Sequence, residues 1–493
     1  MSQISSDENR ELRRPNASSA APKNSAAKAI AARIDRWLFI VMLAGLAWAP
    51  LWLGGNRMFP WAVNALLFPG LVILYEAGRL GLGVGHSVSL KNVGASAFLF
   101  AAVVAFIFVQ MGTFIPQGWV HPVWTMAAEV LGDEFPVSGS ISVNRDLTGL
   151  ALVRLLTSAA VFWLALQLCR DRMRANQLVA AVAVIVAAYS LVGIVLFVFS
   201  INVITSMGGT KTPDLSSTFV NRNSFATYAG LGLVCQFTLL LRMYQHEVES
   251  ARGIRSLRVA KFLEVTGQRG WLWIAAGGVT SAALLLSASR GGIISTAVGL
   301  FVLIVLSFNR PNRRQANQWD IVLILVVLLS GVFLAFGDRL LARLFGQEGF
   351  GDVNRLAIYV IALRSVFDAP FLGFGYGTFA DVFPIYRDKT MPIEGVLDKA
   401  HNTYLEIFQG LGLIFGAALL VCVWLLVFAC YRGLVKREQS ASIPIMATAA
   451  AFLVGVHALV DFSLQIQSVT LTFMALLGAG VAQSLTSRQS MSD

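Results

Sequence analysis

Charge is scarce in this sequence. Asp, Glu, Lys and Arg make up 13% of its 493 residues, about half their share in a soluble domain. A chain that poor in charge cannot cover its apolar side chains with polar surface. Histidine is rarer still, with five copies. The four cysteines, Cys169, Cys235, Cys422 and Cys430, fall within or at the ends of apolar runs. They form no CxxC pair and no Cys/His ligand spacing, a pattern of core packing rather than redox or metal chemistry. Missing too are HExxH, a serine nucleophile elbow, DxD acid pairs in the loops, and a phosphate loop closed by Lys-Ser/Thr. No metal and no cofactor is therefore expected. Residues 1–36, rich in Ser, Ala, Asn and charge, lack the apolar stretch of a signal peptide and read as a disordered cytoplasmic tail.

What the chain has in quantity is hydrocarbon: 56% of residues are hydrophobic and the mean hydropathy is +0.68. Apolar runs centre on 37–54, 61–78, 95–114, 147–169, 177–199, 223–243, 271–288, 291–308, 320–337, 403–431, 442–459 and 469–486. Each has the length of a membrane span and has to be helical, because hydrocarbon offers no partner to a free N–H or C=O. The expected fold class is an all-α polytopic integral membrane protein, with about 12 spans and one long periplasmic loop at 338–402. Its parts are the tail, an N-terminal set of spans (37–199), a membrane core (200–486) and a short cytoplasmic C-terminus (487–493).

The net charge of +11 resembles that of a nucleic-acid binder, but the cations lie between apolar spans, so no nucleic acid is expected. With the N-terminus inside, the inner segments hold 25 of the 38 Lys and Arg residues and the outer ones 12. The positive-inside rule then puts both termini in the cytoplasm. Seven of the outer cations cluster in the 338–402 loop, and Lys211, Arg222 and Arg290 occupy two other outer connections. Cations kept there against the topological bias point to an anionic ligand.

Three outer segments have the residues for chemistry. In SSTFVNRNSFATY (216–228), Arg222 meets the first turn of a span beside Asn221 and Asn223. A guanidinium and a helix N-terminus together suit a phosphate, and an interfacial Arg reaching lipid headgroups is the other reading. In SASRGG (287–292), Arg290 stands in a small-residue turn that serves either a phosphate or a plain helical hairpin. The long loop carries Arg355, GFGYGTF (373–379), Tyr386 with Arg387, and DKAHNTYLE (398–406). The glycine-aromatic run fits a tight turn or a stacking surface for sugar rings. His401, in company with Asp398, Asn402, Tyr404 and Glu406, is either a proton acceptor for a hydroxyl or a solvated loop histidine. His457 and Asp461, at the outer end of the eleventh run, read as a structural hydrogen-bonded pair.

Taken in order, TFVNRNSFATY, SRGG, N-R…GFGYGTF…YR…AHNTYLE…GLGLIFG and VDFSLQ resemble the O-antigen ligase and polymerase superfamily of membrane glycosyltransferases over about residues 200–485. The resemblance implies a metal-independent, inverting glycosyl transfer at the periplasmic face of a bacterial inner membrane. The donor would be an undecaprenyl-diphosphate-linked glycan and the acceptor a glycan or lipid A-core, within O-antigen or exopolysaccharide assembly. Arg222 and Arg290 would hold the diphosphate, assisted by Lys211, Arg355 and Arg387, with Asn221 and Asn223 beside them. His401 would orient or deprotonate the acceptor hydroxyl, with Asn402 and Tyr404 positioning substrate. Membrane lipids would surround the whole. A flippase or exporter of lipid-linked glycan, and a protein-directed oligosaccharyltransferase, are the alternatives. A transporter calls for cations lining a path through the membrane, and Arg154 alone lies deep in a span.

Overall fold

A computed structural model describes residues 20–134, 136–201, 214–250, 260, 264–308, 350–387, 397–436 and 441–485. Fourteen α-helices and no strand occur among the described residues. They are α1 (Ala20–Trp48), α2 (Met58–Leu82), α3 (Gly94–Met111), α4 (Pro122–Leu131), α5 (Arg145–Leu168), α6 (Arg172–Val198) and α7 (Arg222–Ser250). Then follow α8 (Trp271–Leu286), α9 (Arg290–Phe308), α10 (Phe350–Asp368), α11 (Phe379–Tyr386), α12 (Thr403–Lys436), α13 (Ser442–His457) and α14 (Gln467–Ser484). Every apolar run among the described residues is a helix; the run 320–337 lies outside them. Among the described residues, seven helices are long and apolar enough to cross a membrane, and α8 and α13 are apolar but shorter. The chain is thus a multi-pass, all-helical membrane protein.

Asparagine and aspartate side chains start four of these helices, each satisfying an N–H that has no carbonyl a turn earlier. Asn144 accepts from Leu147 N (3.1 Å), Asp171 from Met173 N (2.8 Å), and Asn221 from Asn223 N (2.8 Å). Asn402 accepts from both Tyr404 N (3.0 Å) and Leu405 N (3.1 Å). Two differences from the sequence reading concern segments without a long apolar run. Residues 20–36, expected as disordered tail, are helical and continuous with the first span, an Ala-rich stretch of high helix propensity. Asp35 anchors it by an ion pair to Arg79 (2.7 Å). The long loop holds two helices, α10 and α11, because Ile358, Ile361, Ala362, Phe379 and Phe383 build a small core of their own with Ala400.

One helix organises the bundle. In α7, 94% of the apolar stretch is buried inside the protein, against 28–39% in the other six long apolar helices. Lipid gives no hydrophobic gain for packing helix on helix, so such a helix depends on close fit and polar contacts. A Cβ on Gly230 would fall 2.3 Å from Thr296 Oγ1 of α9, and one on Gly232 2.3 Å from Val186 Cγ1 of α6. Gln236 donates to Ala183 O and to Thr280 Oγ1, both at 3.0 Å, tying α7 to α6 and α8. All four cysteines are buried and free, as packing residues.

The glycine-aromatic run is a tight turn, locked by its backbone. Gly373, Gly375 and Gly377 have φ of 65°, 103° and 85°, in the left-handed region that side chains resist. Phe374 N donates to Gln409 O (3.0 Å) and Gly375 N to Gly410 O (3.1 Å). Gln110 of α3 donates to Leu372 O and Gly410 O, both at 2.7 Å. α12 breaks at Gly412 (φ 70°) to admit the turn. Phe374 is buried against His121 and Tyr386, so it packs rather than offering a sugar-stacking face.

Replacing Gly232 with Leu should lower thermal stability in detergent by about 1–3 kcal/mol through overpacking. Gly278→Leu, on α8 where a Cβ meets nothing within 4 Å, should leave the melting curve unchanged; equal effects would refute the close-fit account of α7.

Candidate functional site

The helix ends carrying the NRN, SRGG, HNTY and VDF motifs meet at one end of the bundle. Their junction is Asp461, in the short connection between α13 and α14 and 1% exposed. Asn223, on the first turn of α7, donates its amide to Asp461 Oδ2. Ser289, in the turn before α9, donates to Asn223 Oδ1 (2.8 Å). Phe462 N donates to Asp461 Oδ1 (2.7 Å). The same oxygen lies 4.0 Å from His401 Nδ1. A continuous chain therefore runs Ser289, Asn223, Asp461, His401, drawing one residue from each motif.

The separation of 4.0 Å exceeds a hydrogen bond but permits an ion pair with a protonated ring. His401 Nδ1 is buried with no other partner, while the side chain as a whole is 27% exposed. The ring packs edge-on against Phe462, with centroids 5.0 Å apart. Burial alone would raise the Asp461 pKa; the nearby imidazoles of His401 and His457 and the Phe462 N–H outweigh it and hold the carboxyl below the usual range.

The backbone around this junction is strained. Of five non-glycine residues with positive φ among the described residues, three lie here: Ser217 (52°), Ala288 (49°) and His401 (53°). Each such conformation costs about 1–3 kcal/mol and persists only where neighbours enforce it. Ser217 Oγ donates to Tyr189 O (2.7 Å). At His401, Tyr359 donates to the carbonyl (2.9 Å), and Ala400 N donates to Glu406 Oε1 (2.7 Å). Thr403 N donates to Ala458 O (2.9 Å), pinning α12 to the end of α13.

The other expected site residues take up distinct positions. Arg222 opens α7 and is ion-paired with Asp214. Arg290 opens α9 half-buried, and the next residue, Gly291, has its Cβ position 3.6 Å from His457 Nε2. Arg355 on α10 is an electrostatic neighbour of His457. Arg387 is exposed at the end of α11. Asn221 caps α7. Asn402 caps α12 and also donates to Leu459 O (3.0 Å), and Tyr404 donates to Gly455 O (2.8 Å). Lys211 lies outside the described residues.

One expectation needs correcting. Asp461 N donates to His457 O (3.0 Å), but the two side chains are not hydrogen-bonded to each other: His457 Nδ1 shares a hydrogen bond with Ser463 Oγ (3.1 Å), and the Asp461 carboxylate turns to Asn223 and His401. The sequence reading missed Asp461 as the hub, since it lies 238 positions from Asn223. The available signal was its place in VDFSLQ, an acid at a helix end with no Lys or Arg nearby in sequence.

At this end of the bundle a buried carboxylate thus faces a partly exposed imidazole, with Arg222 and Arg290 at the adjoining helix starts. Residues 275–421 match the family model described as O-antigen ligase, in line with the O-antigen ligase and polymerase superfamily and with glycosyl transfer in polysaccharide assembly. The match runs from α8 into α12 and takes in Arg290, Arg355, Arg387, His401, Asn402 and Tyr404. No curated protein matches the chain.

Asp461→Asn should destabilise the protein by about 1–3 kcal/mol at neutral pH by disturbing a buried, satisfied acceptor. Because the folded-state pKa is depressed, the stability from ionised Asp461 is present above the unfolded value and lost as pH falls through the folded one. The melting difference between wild type and Asp461→Asn should therefore hold from neutral pH to about 5 and narrow only below about 4; a difference that narrows on going from pH 8 to 6 would refute this assignment.

Proposed function

We propose that the protein transfers a glycan from an undecaprenyl-diphosphate carrier to an acceptor hydroxyl at the periplasmic face of a bacterial inner membrane, with both termini cytoplasmic. The observation that carries this reading is the Ser289–Asn223–Asp461–His401 chain. It ties a candidate base to the first turns of the two helices whose leading residues, Arg222 and Arg290, are the candidate phosphate ligands.

In this reading Asp461 orients the His401 ring through Nδ1 and stabilises the imidazolium, leaving Nε2 to face the acceptor. The acceptor oxygen attacks the anomeric carbon from the face opposite the phosphate. The bond from carbon to phosphate oxygen breaks with inversion, the hydroxyl proton passes to His401, and the carrier diphosphate departs. Arg222 and Arg290 stabilise the charge that grows on it, with Lys211, Arg355 and Arg387 in support. The metal-free course rests on cations and an imidazole meeting the needs of a leaving group that is already activated. Asn221 and Asn402 also fix the starts of α7 and α12, and Tyr404 ties α12 to α13 through Gly455 O.

His401→Ala should lower transfer by about 10²- to 10⁴-fold, and Arg222→Ala or Arg290→Ala should abolish it at normal protein levels. Full activity of all three variants would overturn the reading. Gel analysis of surface glycans from a deletion strain separates its two forms. Lipid A-core without a ladder, with polymer accumulating on the carrier, marks a ligase; single repeats, or loss of long secreted polymer, mark a polymerase.

A further inference from the structure

A cavity of about 200 Å³ lies between α5, α12, α13 and α14. Leu155, Leu419, Val423, Val427, Val454 and Phe473 form its apolar wall, and Arg154, Tyr376, Glu406, Gln465 and Gln467 its polar end. Arg222, Arg290 and His401 do not line it.

The polar end holds two buried donors without a partner. Arg154 donates through one terminal nitrogen to Gln465 O and lies 4.4 Å above the Trp61 ring, but its Nε is buried without a partner. Glu406 does not neutralise it by direct contact. Its two oxygens accept from Ala400 N and from Gln465 Nε2, each at 2.7 Å, and no ion pair within 4.0 Å joins it to Arg154. Gln467, 2% exposed, accepts from Asn64 at 2.7 Å, and its Nε2 has no partner. The Arg154 guanidinium, with its orphaned Nε, and the orphaned Gln467 Nε2 beside hydrocarbon walls suit an anionic acceptor attached to an apolar chain.

We propose that this cavity binds the oxyanion head, carboxylate or phosphate ester, of a single-chain amphiphile. Arg154 and Gln467 are the donors. The chain runs along Val423 and Val427 and leaves past Trp424, which lines the cavity and is 41% exposed. The volume is below the 300–1,000 Å³ typical of whole-ligand pockets, so the cavity takes the head and first methylenes while the rest of the chain lies in the bilayer. This site stands whether or not the protein transfers glycans.

The test is saturable binding of dodecyl phosphate to the purified full chain in a neutral detergent. Wild type should retain it, Arg154→Gln should weaken it by about tenfold or more, and Val427→Trp should occlude it. Equimolar dodecanol should not compete. A diazirine placed mid-chain on dodecyl phosphate should label wild-type protein at Val423, Trp424 or Val427, a readout that needs no variant to fold. Labelling confined to other helices, or dodecanol competing as well as the phosphate, would overturn the proposal. Displacement by undecaprenyl phosphate and not by phosphatidylglycerol supports the proposal and identifies the carrier as the source of the head group, whereas displacement by phosphatidylglycerol, a two-chain lipid, would overturn the single-chain assignment.

Discussion

Asp461 has lost its water, and a carboxylate in that position is stable only where donors and positive charge surround it. The protein meets that demand with groups drawn from distant parts of the chain: an amide from the start of α7, a backbone N–H from its own loop, and the imidazoles of His401 and His457 nearby. The consequence reaches beyond charge. Each donor must be held at one end of the bundle, which fixes how α7, α12, α13 and α14 meet there. Ser289 carries the same constraint to the start of α9.

That arrangement depends in turn on α7 being buried along its apolar length. A helix surrounded by protein has one depth and one rotation, so Arg222 and Asn223 on its first turn have a fixed position relative to every neighbour. The contacts that set the depth are steric, at Gly230 and Gly232, and polar, at Gln236. A lipid-facing helix would slide and rotate more freely. Close packing in the middle of the membrane thereby determines geometry at its surface.

Hydropathy made the helices legible, because a run of about 20 apolar residues in hydrocarbon has no other stable form. The extension of α1 back to Ala20 was not legible, since propensity without hydrophobicity leaves no mark in a hydropathy profile. Helices α10 and α11 were hidden inside a stretch that reads as loop, because the apolar residues of their small core do not form a run long enough to register as a span. At the site, the motifs pointed to Arg222, Arg290 and His401 by residue type and local setting. Nothing local pointed to Asp461 as the link between them, because periodicity reports which face of a helix is apolar and not which helix end it will touch. Nor did the sequence show that Asn402 and Tyr404, read there as positioning substrate, also hydrogen-bond to helix ends.

The left-handed backbone at His401 connects the surface site to the cavity beneath it. A non-glycine residue at φ 53° has to be forced into place, and one of the groups enforcing it is Glu406, which accepts from Ala400 N while its other oxygen holds Gln465. Gln465 in turn gives its carbonyl to Arg154. The polar end of the cavity and the turn that presents the imidazole are therefore one hydrogen-bonded assembly. An anion reaching Arg154 pulls on the same guanidinium that Gln465 holds, and any shift of Gln465 is felt at Glu406 and at the peptide before His401. Two features far apart in sequence, an arginine within α5 and a histidine in the loop before α12, are thus joined through Gln465 and Glu406.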